Sequence, residues 1–152
     1  MTISVTTFDH VSVTVSDLER SVVFYRDVVG LREVERHRLE GETISTMAGK
    51  DGVVLDVVRL AAPETPGILL DLQCYLAPPG SVSNAQLGDV GHSHICFGVR
   101  DMPTACRALR DHGAELVSDP VEFELESGLL EVVFVKDPDG NVLELVHYPE
   151  AP

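Results

Sequence analysis

Residues 10–15 of the chain alternate, with Val11, Val13 and Val15 on one side and His10, Ser12 and Thr14 on the other. A period of two predicts a half-buried strand. Ser16 followed by Glu19 reads as a capping box, and it opens a helix whose Leu18, Val22, Tyr25 and Val29 recur as one apolar stripe. Gly30 suits the end of that helix. Strand-like runs follow at Leu31–Leu39, Val53–Ala61 and Ile68–Leu76, with a loop and a short helical turn expected over Gly41–Gly52. The same order returns further along. A strand at His94–Val99 leads to a helix near Pro103–His112, then to strands near Ala114–Ser118, Leu129–Lys136 and Val142–Tyr148. Asp137-Pro-Asp-Gly-Asn141 is the turn signal joining the last two.

The recurrence extends to individual residues. Shifted by 84 positions, Phe8–Asp27 lies over His92–Asp111, with identities at His10/His94, Val15/Val99, Asp17/Asp101, Arg26/Arg110 and Asp27/Asp111. A later echo, LDLQCY at Leu70–Tyr75 against LELVHY at Leu143–Tyr148, has an offset of 73. Each half therefore reads as βαβββ, with module one over about 8–76, a Pro-, Gly- and Ser-rich linker over 77–91, and module two over about 92–149. The fold class expected is α+β: one domain over 1–152, in which the two modules form a curved mixed sheet around a cleft.

Strand phase decides which polar side chains share a face. His10 opposes Val11, Val13 and Val15, and His94 opposes Ile95, Phe97 and Val99. If the apolar sets pack beneath the helices, both histidines stand on the other face. Asp71, Gln73 and Tyr75 oppose Leu70, Leu72 and Cys74, while Glu144 opposes Leu143 and Leu145. An unpaired carboxylate in an apolar strand is costly to bury, yet Asp71 and Glu144 each interrupt a run of leucines at the equivalent place in their halves. Two histidines and two carboxylates suit Zn, Ni, Co, Mn or Fe as a divalent ion, and His10, Asp71, His94 and Glu144 form the expected metal set. Gln73 shares the face of Asp71 and is the alternative fourth ligand; the echo between the halves favours Asp71. His92 stands two residues ahead of His94 on the same face, where a rim position is expected, with a pocket acid/base or, in a shifted register, the ligand itself as alternatives. His147 points away from Glu144, where packing or a hydrogen bond explains it. Surface roles suffice for His37 and His112. Tyr75 and Tyr148 are repeat-related, placed for the cleft or the core, and Cys96 has no adjacent base that would make it a nucleophile.

Composition narrows the partners. Asp and Glu total 25 against 11 Lys and Arg, a formal net charge of −14. So acidic a chain repels phosphate backbones and anionic lipid, which argues against nucleic acid and membrane as partners. No apolar run approaches a membrane span, the start lacks a signal peptide's pattern, and the three cysteines form no CxxC pair. A cytoplasmic protein acting on a small molecule is the expectation. An anionic small molecule would need local arginines, for which Arg38, Arg59, Arg100 and Arg107 are available.

FDHVSVTVSDLERSVVFYRDVVGL, LLDLQCYLAPPG, DVGHSHICFGVRD and DPDGNVLELVHYP, taken in order, resemble the vicinal oxygen chelate superfamily, which includes glyoxalases, epimerases, extradiol dioxygenases and the fosfomycin- and bleomycin-resistance proteins. The resemblance implies a metal held by a histidine from the first strand of each module and a Glu or Gln from the fourth. His10, His94 and Glu144 match; Asp71 departs from the usual residue. It also implies a homodimer in many cases, and glyoxalase-like lyase or epimerase chemistry by proton abstraction, with Glu144 first and Asp71 or His92 second as catalytic bases. The alternatives are an Fe(II) ring-cleaving dioxygenase and a non-catalytic drug-binding resistance protein.

Overall fold

The computed structural model describes residues 2–65, 67–126 and 128–149. The chain forms two compact units, Met1–Val82 and Ser83–Pro152. In the first, β1 (His10–Thr14) leads to α1 (Leu18–Val23), which continues as one π-helical turn over Phe24–Val28. Then come β2 (Arg32–Glu40), α2 (Glu42–Ala48), β3 (Val54–Ala61) and β4 (Leu69–Ala77), giving a four-stranded sheet in the order β1-β4-β3-β2. In the second, β5 (Ile95–Gly98), α3 (Met102–Asp111), β6 (Glu115–Leu116), β7 (Val121–Leu125), β8 (Gly128–Lys136) and β9 (Val142–His147) build a five-stranded sheet. It runs β5-β9-β8-β6, with β7 also on β8. This is the mixed α+β architecture expected from the hydrophobic pattern. In both units the first strand lies parallel to the fourth, which carries the carboxylate.

The apolar phase is as the alternation requires. Val22 and Tyr25 of the helical segment are buried with Leu70, Leu72 and Cys74 of β4, and Leu72 is fully enclosed. Complete burial of such a leucine contributes about 1.5–3 kcal/mol. Module two repeats this with Met102, Cys106 and Leu109 of α3 and with Leu143 and Leu145 of β9.

Three local expectations need correction. The cap of α1 is Asp17, whose carboxylate accepts from the Arg20 backbone N–H at 3.0 Å, and not Ser16. The helix begins one residue later than the box requires, and Glu19 turns instead to Arg36. The segment over 41–52 holds a seven-residue helix, α2, larger than the single turn expected. The strand placed at Ala114–Ser118 is only β6, and a further strand, β7, pairs beside it along the same edge of β8. Between them the register slips by two residues at Ser118–Pro120. Proline has no N–H to give the ladder, so the second strand position is filled by a broken pair. Module two is therefore βαββββ in segments and βαβββ in layout.

Candidate functional site

In each unit the first strand brings a histidine to the carboxylate of the fourth. Ser12 pairs with Asp71 across β1 and β4, and Cys96 pairs with Glu144 across β5 and β9. The histidine stands two residues upstream of each pairing position, so the repeat seen in the sequence holds in three dimensions within each module. His94 itself lies just ahead of β5. Among the described residues no three His, Cys, Asp or Glu side chains gather into a metal-holding group. At the repeat-related positions each module instead sets a histidine beside a carboxylate, His10 by Asp71 and His94 by Glu144.

The two pairs differ. In module two, His94 Nε2 lies 2.8 Å from Glu144 Oε2. The Phe134 ring stands edge-on to the imidazole, with centroids 5.2 Å apart, and fixes its plane. In module one, His10 Nε2 is 3.8 Å from Asp71 Oδ2, beyond hydrogen-bonding reach. The His10 Nδ1 lies 2.6 Å from the carboxylate of Asp9. A proton on Nδ1, donated to Asp9, leaves the Nε2 lone pair free for a cation, as the outer partners of metal-bound histidines commonly arrange. Asp71 is buried, and both its oxygens are taken by Arg59, with Nε to Oδ1 at 2.7 Å and Nη2 to Oδ2 at 2.8 Å. Nη1 of the same guanidinium donates to Glu35 at 3.2 Å. These carboxylates, Asp71 first, hold the arginine's pKa above its ordinary value.

Tested against a divalent ion, the donors divide. His94 with Glu144 sets an imidazole nitrogen beside a carboxylate oxygen, and His10 offers an oriented nitrogen; these suit a borderline metal. Asp71 does not fit freely, because each of its oxygens already accepts from the Arg59 guanidinium. Gln73, the alternative considered beside it, turns its amide to donate to Ser12 Oγ at 3.0 Å. His92 Nε2 is buried without a hydrogen-bond partner. His147 donates from Nδ1 to the Val99 carbonyl at 3.0 Å, the packing role expected. Of the four arginines named from the sequence, Arg38 is committed to Asp56 and Arg59 to Asp71 and Glu35, while Arg107 lies 3.5 Å from the Thr104 hydroxyl.

Sequence reasoning missed the roles of Asp9, Arg59 and Phe134. Asp9 could have been noticed as the carboxylate directly before His10. The other two depend on which residue of β3 faces β4 and which of β8 faces β9, and chain order does not carry that.

The surroundings of Cys96 agree with its lack of an activating base. Burial first, then the charge of Glu144 and a hydrogen bond to it, push the thiol up to about 11. Cys74 and Cys106 are buried, so Cys96 is the exposed thiol of the three. In metal-free protein, iodoacetamide is expected to label Cys96 slowly at pH 8 and faster as the pH rises through about 11. Replacing Glu144 by glutamine removes part of the upward push and should move that profile to lower pH, as mass spectrometry would read.

Residues 7–145 match the Glyoxalase/Bleomycin resistance protein/Dioxygenase superfamily. The chain belongs to this superfamily. A probable lactoylglutathione lyase of Synechocystis is 27% identical over 138 residues, covering 90% of this chain and 92% of that protein. The lactoylglutathione lyase of Pseudomonas aeruginosa is 27% identical over 155 residues, covering 91% and 81%. A glyoxalase family protein of Bacillus cereus has the same fold, with a TM-score of 0.85 at 23% identity over 95% of each chain. Members of the superfamily generally use divalent metals. Among the described residues no helix is long and apolar enough to cross a membrane.

Proposed function

We propose that this chain is a divalent-metal-dependent lyase or isomerase of the glyoxalase kind, acting on a small molecule with two neighbouring oxygens, of which an α-hydroxy thioester is the best candidate. The observation that carries the reading is the His94–Glu144 pair at 2.8 Å, matched in module one by His10 with its free Nε2. The relatives named for lactoylglutathione supply the substrate class. A lactoyl thioester carries a hydroxyl on the carbon next to its carbonyl, so its two oxygens are vicinal. His10 of module one and His94 and Glu144 of module two would be the side chains offered to the metal.

When bound, the metal supplies Lewis-acid polarisation of the substrate carbonyl. Glu144 is the base: it removes the hydrogen from the hydroxyl-bearing carbon and returns a proton to the neighbouring carbon. With the oxygen protons exchanged, the thioester and an isomeric hemithioacetal of thiol and dicarbonyl interconvert in either direction, without any change of oxidation state overall. His94 fixes the Glu144 carboxylate through the 2.8 Å contact, with its ring plane held by Phe134. Asp71, its oxygens bound by Arg59, has less freedom to move a proton than Glu144. The second proton-carrying group is His92, whose buried and unpartnered Nε2 can accept one.

Chelation tests the reading. Protein stripped with EDTA is expected to lose turnover of the hemithioacetal of methylglyoxal and glutathione, and to regain it with Ni, Co, Mn, Zn or Fe as the divalent ion. Full turnover by the stripped protein would overturn it. Oxygen uptake with Fe(II) and a catechol, in place of that turnover, would overturn it in favour of ring cleavage.

A further inference from the structure

Module one breaks the symmetry of the repeat at one position. Glu144 pairs with Phe134 across β9 and β8, and the equivalent position facing Asp71 across β4 and β3 is Arg59. An aromatic ring that packs on the histidine in one half is replaced by a guanidinium that grips the carboxylate in the other. We propose that Asp71 is the fixed counter-ion of Arg59 and not a metal ligand, so that module one offers a metal one side chain, His10, where module two offers two. This rests on the metal reading above and departs from the four-ligand set expected from the sequence.

Three observations support it. The Asp71–Arg59 bond is bidentate, and the carboxylate side chain is only 5% exposed. Planar fork geometry makes such a pair both strong and directional. A cation taken up by Asp71 would have to displace the guanidinium, leaving it partly buried with one carboxylate fewer, or share one carboxylate between two cations. Both arrangements are penalised in a desolvated place. Finally, Asp71 Oδ2 lies 3.8 Å from His10 Nε2, whereas the module-two pair is in contact at 2.8 Å. Aspartate is one methylene shorter than glutamate, and Arg59 holds it back against the sheet.

The experiment is Co(II) binding to the full-length, metal-free chain, read by chelator competition and by the visible spectrum of the bound ion. Asp71→Asn is expected to keep the band shape of the unaltered protein and to bind within about tenfold of it, the cost of changing a residue outside the ligand set. Glu144→Ala is expected to lose more than the roughly 100-fold at the upper end for residues outside the ligand set and to change the bands, since it removes a ligand outright. Should Asp71→Asn not fold, the double change Asp71→Asn with Arg59→Gln keeps a neutral hydrogen-bonded pair and carries the same expectation. If the Asp71 variants lose as much affinity as Glu144→Ala while the unaltered chain binds tightly, the inference is overturned and the metal reading stands. If the unaltered chain takes up no Co(II), the metal reading falls and takes this inference with it.

Discussion

Glu144→Gln should cost about 10²–10⁴ in kcat on the hemithioacetal of methylglyoxal and glutathione, the usual contribution of a positioned acid–base group. The reason lies in the pairing of β5 with β9, which sets Glu144 beside His94 at 2.8 Å with Phe134 against the ring. Glutamine fills nearly the same volume and can still accept from His94, so folding should be little changed. What it lacks is basicity, and as a neutral oxygen donor it is also a poorer ligand. The prediction is checked by steady-state kinetics at saturating metal, which separates lost proton transfer from lost metal, together with a thermal melt. An undiminished kcat would remove Glu144 from the chemistry.

The second large effect is on stability. Asp71→Ala should destabilise the fold by about 3 kcal/mol, the low end of the 3–5 kcal/mol typical for breaking a buried ion pair. The low end applies because the Arg59 side chain is 22% exposed and water can partly solvate it once its partner is gone. Replacing both residues by leucine should recover most of the loss, since the cost comes from the stranded guanidinium rather than from the absence of the pair. Urea unfolding of the two variants beside the unaltered chain measures both quantities. Equal stability of Asp71→Ala and the unaltered protein would show that the bond at β3 and β4 contributes nothing.

Much of this was legible in the sequence, for identifiable reasons. The alternation around His10 and His94 fixed which face each histidine occupies, because a strand has only two faces. The apolar stripe from Leu18 to Val29 found its helical segment, because only one face of it can be buried. The repeat tied His10 to His94 and Asp71 to Glu144, and the strand pairings of Ser12 with Asp71 and Cys96 with Glu144 keep those equivalences. What could not be read was lateral. The pairing of Arg59 with Asp71 depends on the register between β3 and β4, which changes at the Val54/Leu55 irregularity. The choice of Asp17 over Ser16 as cap turned on where the helix begins, and two adjacent residues both able to cap leave that open. The further strand β7 begins only after Pro120 interrupts the β6 ladder, which a pattern of apolar positions does not weigh.

The broken β6–β7 edge and the charged β2 edge bear on how the protein behaves when crowded. A sheet edge offers free N–H and C=O groups to any passing strand, and an unbroken apolar edge invites aggregation. In module one, one such edge is β2, whose Arg32, Glu33, Glu35, Arg36, Arg38 and Glu40 are exposed, so a backbone approaching it must displace charge at almost every step. In module two the edge shows apolar side chains, Val121, Phe123 and Leu125, and protection comes from geometry: the two-residue slip at Ser118–Pro120 leaves no template longer than five residues. One sheet turns away intruding strands by electrostatics and the other by interruption, and each remains free to keep its own ladder intact.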